Sequence, residues 1–339
     1  MKQLSDNIYN RSLPRHQPKF KLWRYAGLLL TYKCNCACAF CYYNCSPDKN
    51  GLMSVDTALS AWTSLQALAG DHAKIHITGG EPFLYWDHLC DILDQVKQNN
   101  LVPADMLETN GYWAVSEKIV TERLVTLDRL GVRRIKVSTD PFHLLFVPPE
   151  PVRRLARLGT ELLGPDRLLV RWQTYLENPP DIGKLSPAEL NRLYVSALTE
   201  YPCRFTGRAA QHLAPLVASR AVDELADQNC RAQILGAKGV HIDPYGNVFS
   251  GTCSGIIVGN VSRRPLDEIW TQFEPSANQL IAALFNRGPA GLLPIAEQLG
   301  YQSLPHYADK CHLCTSIRTF LAQKGFFPAT LGPAECYRP

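Results

Sequence analysis

Residues 25–41, with the sequence YAGLLLTYKCNCACAFC, indicate both the fold and the chemistry of this chain. Their first half is short and apolar, which is typical of a buried strand. Cys34, Cys38 and Cys41 follow, separated by three and then two residues. Three thiolates this close can bind three irons of a four-iron cluster, whereas a cluster used only for electron transfer normally has four cysteine ligands. The stretch therefore predicts a strand followed by a cluster whose fourth iron is open to another ligand.

The composition is that of a folded globular protein. Of the 339 residues, 46% are hydrophobic and 19% are charged, so a large core can form. A net charge of +4 is too small to indicate a nucleic-acid partner. We expect no membrane span, because no apolar run is long enough. The residues before Tyr25 lack the apolar core of a secretory signal, so we expect a cytoplasmic protein. Its twelve cysteines then indicate metal binding rather than disulfides.

Strand-like and helix-like segments alternate from Tyr25 to about residue 200. This repetition predicts a parallel sheet with helices on its outside, and about five or six βα units fit before the pattern changes near Cys203. The predicted strands cover residues 27–31, 74–78, 104–108, 134–138 and 168–173. The predicted helices cover residues 54–69, 86–98, 116–130, 149–163 and 187–200.

Polar or glycine-rich motifs follow each of the first four predicted strands. In parallel βα folds, functional residues collect at the carboxyl ends of the strands. We therefore expect these motifs to form one site. They are the cysteine loop (residues 34–41), Gly79-Gly80-Glu81-Pro82, Thr109-Asn110-Gly111 and Ser138-Thr139-Asp140.

The chain changes character after Cys203. Residues 239–250 predict a β-hairpin, residues 275–305 are interrupted by proline and glycine, and residues 316–324 predict a final helix. We expect three parts. They are an N-terminal segment over residues 1–24, loosely ordered to about Leu22, a βα domain over residues 25–203, and a small hairpin and helix domain over residues 204–339.

The motifs resemble those of the radical S-adenosylmethionine (radical SAM) enzymes. The match consists of Cys34-x3-Cys38-x-Phe40-Cys41, Gly79-Gly80-Glu81-Pro82 and Ser138-x-Asp140, over roughly residues 25–200. The resemblance implies a partial (βα)6 barrel of the TIM type. It also implies a 4Fe–4S cluster on Cys34, Cys38 and Cys41, with SAM on the fourth iron. One electron would cleave SAM to a 5′-deoxyadenosyl radical, which abstracts hydrogen from a substrate.

The resemblance also implies roles for residues around the cofactor. Glu81 would accept a hydrogen bond from the ammonium group of the methionine moiety, and the glycines before it would let the backbone approach closely. Arg171 would pair with the methionine carboxylate. The expected cofactor-binding residues are Phe40 and Tyr42 at the adenine, Ser138 and Asp140 at the ribose, Thr109 and Asn110 in the same cavity, and Gly79, Gly80, Glu81, Pro82 and Arg171.

The second part resembles the SPASM and twitch extensions of these enzymes, which carry auxiliary 4Fe–4S clusters. The likeness lies in the hairpin over residues 239–248 and in the turn over residues 205–209. A full SPASM extension has further cysteines after the terminal Cys-x2-Cys, whereas here only Cys336 follows Cys314. This favours the shorter twitch form, with one cluster closed by four thiolates. The implied ligands are Cys230, Cys253, Cys311 and Cys314, with Cys336 as a substitute for one of them.

Alternatives remain open at both metal sites. Each set of thiolates also suits zinc, although structural zinc sites usually have four ligands in paired spacing, and the first set lacks it. Arg208 is expected either to form a salt bridge or to bind substrate. Cys36, Cys45 and Cys203 have no assigned role.

We expect an enzyme that abstracts hydrogen from a C–H bond of a small molecule and completes a net oxidation or bond formation. One alternative is a maturase that modifies a ribosomal peptide or a protein side chain, although the roughly 25 residues before the first strand are too few for a leader-binding domain. Another alternative is a non-catalytic metal-binding scaffold. The expected electron donor is of the flavodoxin or ferredoxin type. The residues expected to contact substrate are His143, Gln173 and Tyr175.

Overall fold

A computed structural model describes residues 1–14, 16–251 and 253–338 of the chain. Most of the described strands belong to one large sheet. The strands are β1 (Tyr25–Leu29), β2 (Lys74–Thr78), β3 (Met106–Thr109), β4 (Ile135–Ser138), β5 (Leu168–Arg171), β6 (Arg220–Ala221), β7 (Gly239–Ile242), β8 (Asn247–Ser250), β9 (Ile257–Asn260) and β10 (His306–Tyr307).

The large sheet has eight strands in the order β5-β4-β3-β2-β1-β7-β8-β9 within the described residues. The first five strands and β7 all pair in parallel, and β8 and β9 continue the sheet antiparallel. Strands β6 and β10 form a separate antiparallel pair. The predicted α/β class with a mostly parallel, partial barrel is thereby confirmed.

Helices connect the parallel strands and follow the hairpin. They are α1 (Ile8–Ser12), α2 (Val55–Ala69), α3 (Trp86–Gln98), α4 (Glu117–Arg129), α5 (Pro149–Leu163), α6 (Gln173–Glu177), α7 (Pro187–Glu200), α8 (Arg208–His212), α9 (Arg231–Gly236), α10 (Leu266–Gln272), α11 (Gln279–Arg287), α12 (Leu293–Gln298) and α13 (Lys310–Gln323). None of these helices is both long and apolar enough to cross a membrane.

Side-chain caps explain where several helices begin. The hydroxyl of Ser54 accepts a hydrogen bond from the Thr57 amide at 3.1 Å before α2. Ser186 and Glu189 form a capping box before α7. Such caps satisfy amide groups that have no partner inside the helix. The structure therefore begins these helices where the sequence predicts them.

The sixth parallel strand differs from the expected arrangement. A (βα)6 barrel would place it after α7 and beside β5. Here the chain after α7 instead runs to the cysteine loop, where the Arg208 amide donates to the Cys41 carbonyl at 2.9 Å. The sixth parallel strand is β7, which pairs with β1 at the opposite side of the barrel strands. The hairpin of the second part therefore belongs to the same sheet as the βα part.

The expected start of the last helix is wrong, and residues 275–305 contain two helices, α11 and α12, that the sequence did not predict. The Asn278 side chain caps α11 by accepting from the amides of Leu280 and Ile281. The last helix begins at Lys310 rather than near residue 316, because Asp309 accepts from the His312 amide at 2.7 Å. Helix α13 therefore contains the Cys-x2-Cys motif.

The N-terminal segment is packed rather than loosely ordered. The Asn7 side chain donates to the Trp270 carbonyl at 2.6 Å. Phe20 and Trp23 are fully buried, and the ring of Phe20 lies 4.8 Å from that of Phe273. The segment thus packs β1 against the helices of the second part.

Candidate functional site

The first cavity lies at the carboxyl ends of the parallel strands and extends between them. Its volume is about 1020 Å³ with its open mouth included. The sequence motifs that follow β1 to β4 all contribute to its lining, as predicted. The lining residues are Cys34, Cys36, Cys38, Phe40, Cys41, Tyr42, Tyr43, Cys45, His76, Thr78, Gly79, Gly80, Glu108, Thr109, Asn110, Lys136, Ser138, His143, Arg171 and His241.

The cysteine loop is held in shape by Arg208. This buried guanidinium donates to the Cys38 carbonyl and to the Cys45 carbonyl, each at 3.0 Å. Its backbone amide donates to the Cys41 carbonyl. Arg208 therefore forms no salt bridge with the described residues, and its guanidinium bonds to backbone carbonyls instead. These three hydrogen bonds fix the backbone from Cys38 to Cys45.

Cys36 and Cys45 lie in the cavity together with the three predicted ligands. A hydrogen bond with the Cys36 thiol, together with burial, raises the pKa of Cys34. A hydrogen bond from the Cys45 thiol lowers the pKa of Cys41. The side-chain amide of Asn110 donates to the Cys36 sulfur at 3.2 Å. Five sulfur atoms thus lie in one wall, with a polar donor beside them.

The two glycines of Gly79-Gly80-Glu81-Pro82 serve a close backbone contact. The Gly80 amide donates to the Thr31 carbonyl at 2.7 Å. A Cβ atom on Gly80 would lie 1.9 Å from the Lys33 carbonyl oxygen, and one on Gly79 would lie 2.7 Å from the Thr31 oxygen. Only glycine fits this approach. The motif is thereby pressed against the start of the cysteine loop.

Glu81 does not line the cavity. Its fully buried carboxylate accepts from the Phe83 amide at 3.1 Å, the Thr109 hydroxyl at 2.8 Å and the Asn110 amide at 2.7 Å. Burial raises its pKa to about 7, although these bonds oppose the shift. Glu81 therefore fixes Thr109 at the end of β3 and Asn110 directly after it, and both residues line the cavity. Pro82 is buried outside the lining as well.

Asp140 has a similar position behind the cavity. One of its oxygens accepts from the amides of Phe142 and His143, each at 3.0 Å, and the other lies 2.5 Å from His143 Nδ1. Burial lowers the pKa of His143, but the carboxylate outweighs it and raises the pKa overall. The structure thus brings Ser138 and His143 to the cavity wall, with Asp140 orienting the imidazole.

An aromatic group covers one side of the cysteine loop. The ring of Phe40 lies 5.2 Å from that of Phe142, 5.4 Å from His143 and 5.9 Å from Trp172. Arg171 stacks over Trp172 at 4.8 Å and also lines the cavity. Such packing fixes the position of a guanidinium without neutralising its charge.

Gln173 and Tyr175 lie outside the cavity. The predicted strand ends early, because Trp172 takes a left-handed conformation with φ of 62° and α6 begins at the next residue. Gln173 is exposed and bonds to Glu177 at 3.1 Å. Tyr175 packs against Trp172 and Tyr201. Of the three residues expected to contact substrate, only His143 lines the cavity.

A polar group between the strands was missed by the sequence reasoning. We call His76, Glu108, Lys136 and His241 the lumen cluster. In the sheet register, Gly27 pairs with both His76 and His241, so the two imidazole rings meet over a residue without a side chain, 5.4 Å apart. The signal was the alternation of apolar and polar residues within each strand, which marks two different faces.

The lumen cluster combines one ion pair with two uncharged rings. Lys136 Nζ lies 2.9 Å from Glu108 Oε1, and the Thr78 hydroxyl donates to Glu108 Oε2 at 3.0 Å. Burial would raise the pKa of Glu108, but nearby positive charge lowers it to about 2. Burial lowers the pKa of His76 to about 3, so this ring is neutral near pH 7. Its Nδ1 atom is buried and has no hydrogen-bond partner among the described residues.

The four later cysteines line a second cavity of about 840 Å³. Cys230 precedes α9, Cys253 follows β8, and α13 carries Cys311 and Cys314. Burial raises the pKa of Cys230 and of Cys311 to about 12 each. Two hydroxyl oxygens in the lining, those of Thr206 and Ser250, are buried with no hydrogen-bond partner in the part of the chain that the structure describes. The donor set and these free hydroxyls fit a sulfur-rich inorganic group.

Cys336 does not belong to this set. Its sulfur lies 3.5 Å from the Tyr32 hydroxyl, behind the cysteine loop, and it lines neither the first nor the second cavity. The structure therefore gives no support to Cys336 as a substitute ligand. Among the described residues, no group of three or more histidine, cysteine or acidic side chains is arranged to hold a single metal ion.

Residues 28–187 match the family model of the radical SAM superfamily. The chain is similar to the putative peptide biosynthesis protein YydG of Bacillus subtilis, with 26% identity over 132 residues that cover 37% of this chain and 39% of that protein. It is also similar to a GTP 3′,8-cyclase of Cronobacter sakazakii, with 32% identity over 125 residues that cover 36% and 37%. The chain thus matches well under half the length of these curated relatives.

Two solved structures are among those to which the chain is similar. BtrN in complex with AdoMet and 2-DOIA has 17% identity and a TM-score of 0.47, with 79% of this chain and 89% of that chain covered. Native anSMEcpe with bound AdoMet and Cp18Cys peptide has 14% identity and a TM-score of 0.43, with 88% of this chain and 97% of that chain covered.

Proposed function

We propose that this chain, whose residues 28–187 match the family model of the radical SAM superfamily, is an enzyme that reductively cleaves SAM. The 5′-deoxyadenosyl radical formed in this way abstracts hydrogen from a substrate C–H bond. The observation that carries the proposal is the single cavity lined by the cysteine loop and by the motifs that follow β2, β3 and β4.

Cys34, Cys38 and Cys41 would hold the 4Fe–4S cluster of this family. The cluster and SAM, when bound, supply the radical chemistry. The chain's own residues shape the surroundings: Arg208 holds the loop backbone, and the amide of Asn110 reaches the cysteine sulfurs. Hydrogen bonds to sulfur are one means by which proteins adjust cluster potentials.

The polar groups of SAM would be bound at the ends of β3, β4 and β5. Asn110, Ser138 and Arg171 line the cavity there. No acidic side chain among the described residues forms an ion pair with Arg171, so its charge is available to a carboxylate. Glu81 and Asp140 support these residues from behind rather than touching the cofactor.

We assign the substrate to small polar molecules because of the lumen cluster. These side chains offer a carboxylate, an ammonium group and two neutral imidazoles inside the barrel. A buried nitrogen without a partner, as at His76, costs free energy until something bonds to it. A substrate with hydroxyl or amino groups would supply such bonds and place a C–H bond below the cysteine loop.

Modification of a peptide is the second candidate. Two observations favour it: the similarity to a B. subtilis protein named for peptide biosynthesis, and the open mouth of the first cavity. On this reading one side chain of the peptide would enter the barrel and reach the lumen cluster. The two candidate functions share the same radical chemistry. They differ in whether a peptide occupies the open mouth of the first cavity.

An auxiliary 4Fe–4S cluster on Cys230, Cys253, Cys311 and Cys314 would accept an electron and so allow net oxidation. Four protein ligands leave this cluster no open iron. A donor of the flavodoxin or ferredoxin type would reduce the first cluster. The residues for these two tasks would lie on either side of residue 203, although β7 from the later part pairs with β1 in one sheet.

The test uses hydrogen transfer to the cofactor. Protein reconstituted with iron and sulfide is incubated anaerobically with dithionite, SAM and an extract from deuterated cells, divided into a small-metabolite fraction and a peptide fraction. We expect 5′-deoxyadenosine that carries deuterium only with the small-metabolite fraction. Deuterium only from the peptide fraction would establish the second candidate. If no 5′-deoxyadenosine forms above background, the enzyme proposal fails and the non-catalytic metal-binding scaffold is favoured.

A further inference from the structure

Arg318 is a buried cation beside the predicted auxiliary ligands. It lies on α13, one turn after Cys314, and is 3% exposed. Its Nε atom donates to the Cys314 sulfur at 3.3 Å. Its Nη1 atom donates to the Ser254 carbonyl and to the Tyr337 hydroxyl, each at 2.8 Å. The guanidinium is thus held in one orientation by three different partners.

No carboxylate among the described residues forms an ion pair with Arg318. A buried charge without a counter-charge is costly, and an arginine side chain cannot shed its proton in a protein. The second cavity, which Arg318 lines, also has Arg204 and Lys310 in its wall and no acidic side chain. This cationic wall therefore fits an anionic group such as the thiolates of the four cysteines.

A four-iron cluster on four thiolates is such an anion, because the thiolate charges outweigh that of the core. Each electron added makes it more negative. A fixed positive charge bonded to one of its sulfurs therefore stabilises the reduced form more than the oxidised form. Hydrogen bonds to the sulfurs, net charge and solvent exposure are the factors that set cluster potentials.

We propose that Arg318 is a positioning residue that raises the reduction potential of the auxiliary cluster, so that the cluster accepts an electron from the substrate radical. The inference rests on the proposed function. In this step the substrate radical loses one electron to the auxiliary cluster and one proton to a base or water. The product is oxidised by two electrons in all, counting the hydrogen atom removed first. An external iron–sulfur or flavin protein then reoxidises the cluster.

The same guanidinium is tied to the first site. Ser254, whose carbonyl accepts from Arg318, donates through its hydroxyl to the Tyr42 carbonyl at 2.7 Å. Gly207 closes the gap between the sites, because a Cβ atom there would lie 2.5 Å from the carbonyl oxygens of Cys41 and Tyr42. Its neighbour Thr206 lines the second cavity. A short series of contacts, from Arg318 through Ser254 to Tyr42, therefore connects the two cysteine sites.

The experiment measures the potential of the auxiliary cluster alone. In a chain with Cys34, Cys38 and Cys41 replaced by Ala, reconstituted anaerobically, an EPR-monitored titration gives the midpoint potential. We expect Arg318→Met to lower it by at least 59 mV, a tenfold change for a one-electron couple. Arg318→Lys keeps the charge but loses the planar guanidinium with its several donors. Its midpoint potential should lie between those of the chain that retains Arg318 and the Arg318→Met chain.

Lys310→Met is the matched control. It removes a charge from the same cavity wall, but the Lys310 ammonium bonds to the Asn229 carbonyl at 2.8 Å rather than to a sulfur. We expect a shift smaller than that of Arg318→Lys. If Arg318→Met does not retain iron, the midpoint potential of Arg318→Lys alone tests the proposal. An unchanged potential in a variant that retains its iron overturns the role of Arg318 while leaving SAM cleavage untouched. Zinc instead of iron at the four cysteines overturns it as well.

Discussion

At the scale of the residue, Glu81 shows how a motif can be located correctly while its contacts differ from expectation. The sequence places it at a strand end beside two glycines, and there it predicts a contact with SAM. The structure gives both carboxylate oxygens to Thr109, Asn110 and the Phe83 amide. No sequence pattern reveals these partners, because they come from another strand and from the turn that follows Glu81.

The raised pKa of Glu81 makes its contribution to stability depend on pH. With a pKa of about 7 in the folded chain and an ordinary value when unfolded, Glu81 favours folding below pH ~4.5. This contribution is lost as pH rises to about 7, because only the unfolded chain gives up the proton readily in that range. We expect the loss to reach about 3 kcal/mol.

Denaturant unfolding of the apoprotein between pH 4 and 8 checks this, with Glu81→Gln as the reference because the amide does not titrate. The free energy of unfolding of the wild type should fall relative to that of the variant across the window. Parallel curves for the two proteins would contradict the assignment.

At the scale of the element, β1 is placed between two strands that carry histidines at the same level. A Cβ atom on Gly27 would lie 2.3 Å from the His241 ring and 2.4 Å from the His76 ring. The sequence predicts β1 and β2 as strands but gives no reason for this glycine, because its neighbours in the sheet are distant in the chain. The lumen cluster was missed for the same reason.

Gly27→Ala should therefore destabilise the protein by about 1–3 kcal/mol, the usual cost of overpacking. Because the clash is with the imidazoles, adding His241→Ala should restore part of the loss, so the two changes are not additive. Denaturant unfolding of the single and double variants measures the coupling. Additive losses would mean that Gly27 is required for another reason.

Helix caps show which helix starts can be predicted from the sequence and which cannot. Ser54 and Ser186 begin helices where the sequence predicts them, since serine before an apolar periodic run is a local signal. Asn278 and Asp309 are equally good caps, but proline and glycine nearby obscured the helices that they begin. A capping residue therefore predicts the start of a helix only where the residues around it also favour a helix.

At the scale of the whole molecule, the two parts of the chain form one structure around β1. Strand β7 pairs with β1, and the N-terminal segment packs on helices of the second part through Phe20 and Asn7. The sequence predicts the two cysteine sites separately and does not predict this continuity. Pairing between strands so far apart in the chain leaves no pattern in either segment.

Phe20→Ala should cost about 3–5 kcal/mol, as expected for truncation of a fully buried phenylalanine. The loss should appear as a shift of one cooperative transition, because the ring contacts both Trp23 beside β1 and Phe273 of the second part. Phe146→Ala is the control, since Phe146 is 41% exposed and should change little. Two separate transitions in the Phe20 variant would contradict the single structure.

The central claim is that Cys34, Cys38 and Cys41 hold the cluster that cleaves SAM, apart from a second cluster on the later cysteines. The most direct measurement compares the wild type with the chain in which these three residues are Ala, by iron content and by 5′-deoxyadenosine formed under dithionite. The triple variant should lose all SAM cleavage and keep about half of the wild-type iron, because only one of two four-iron clusters remains. SAM cleavage retained by the triple variant would contradict the account.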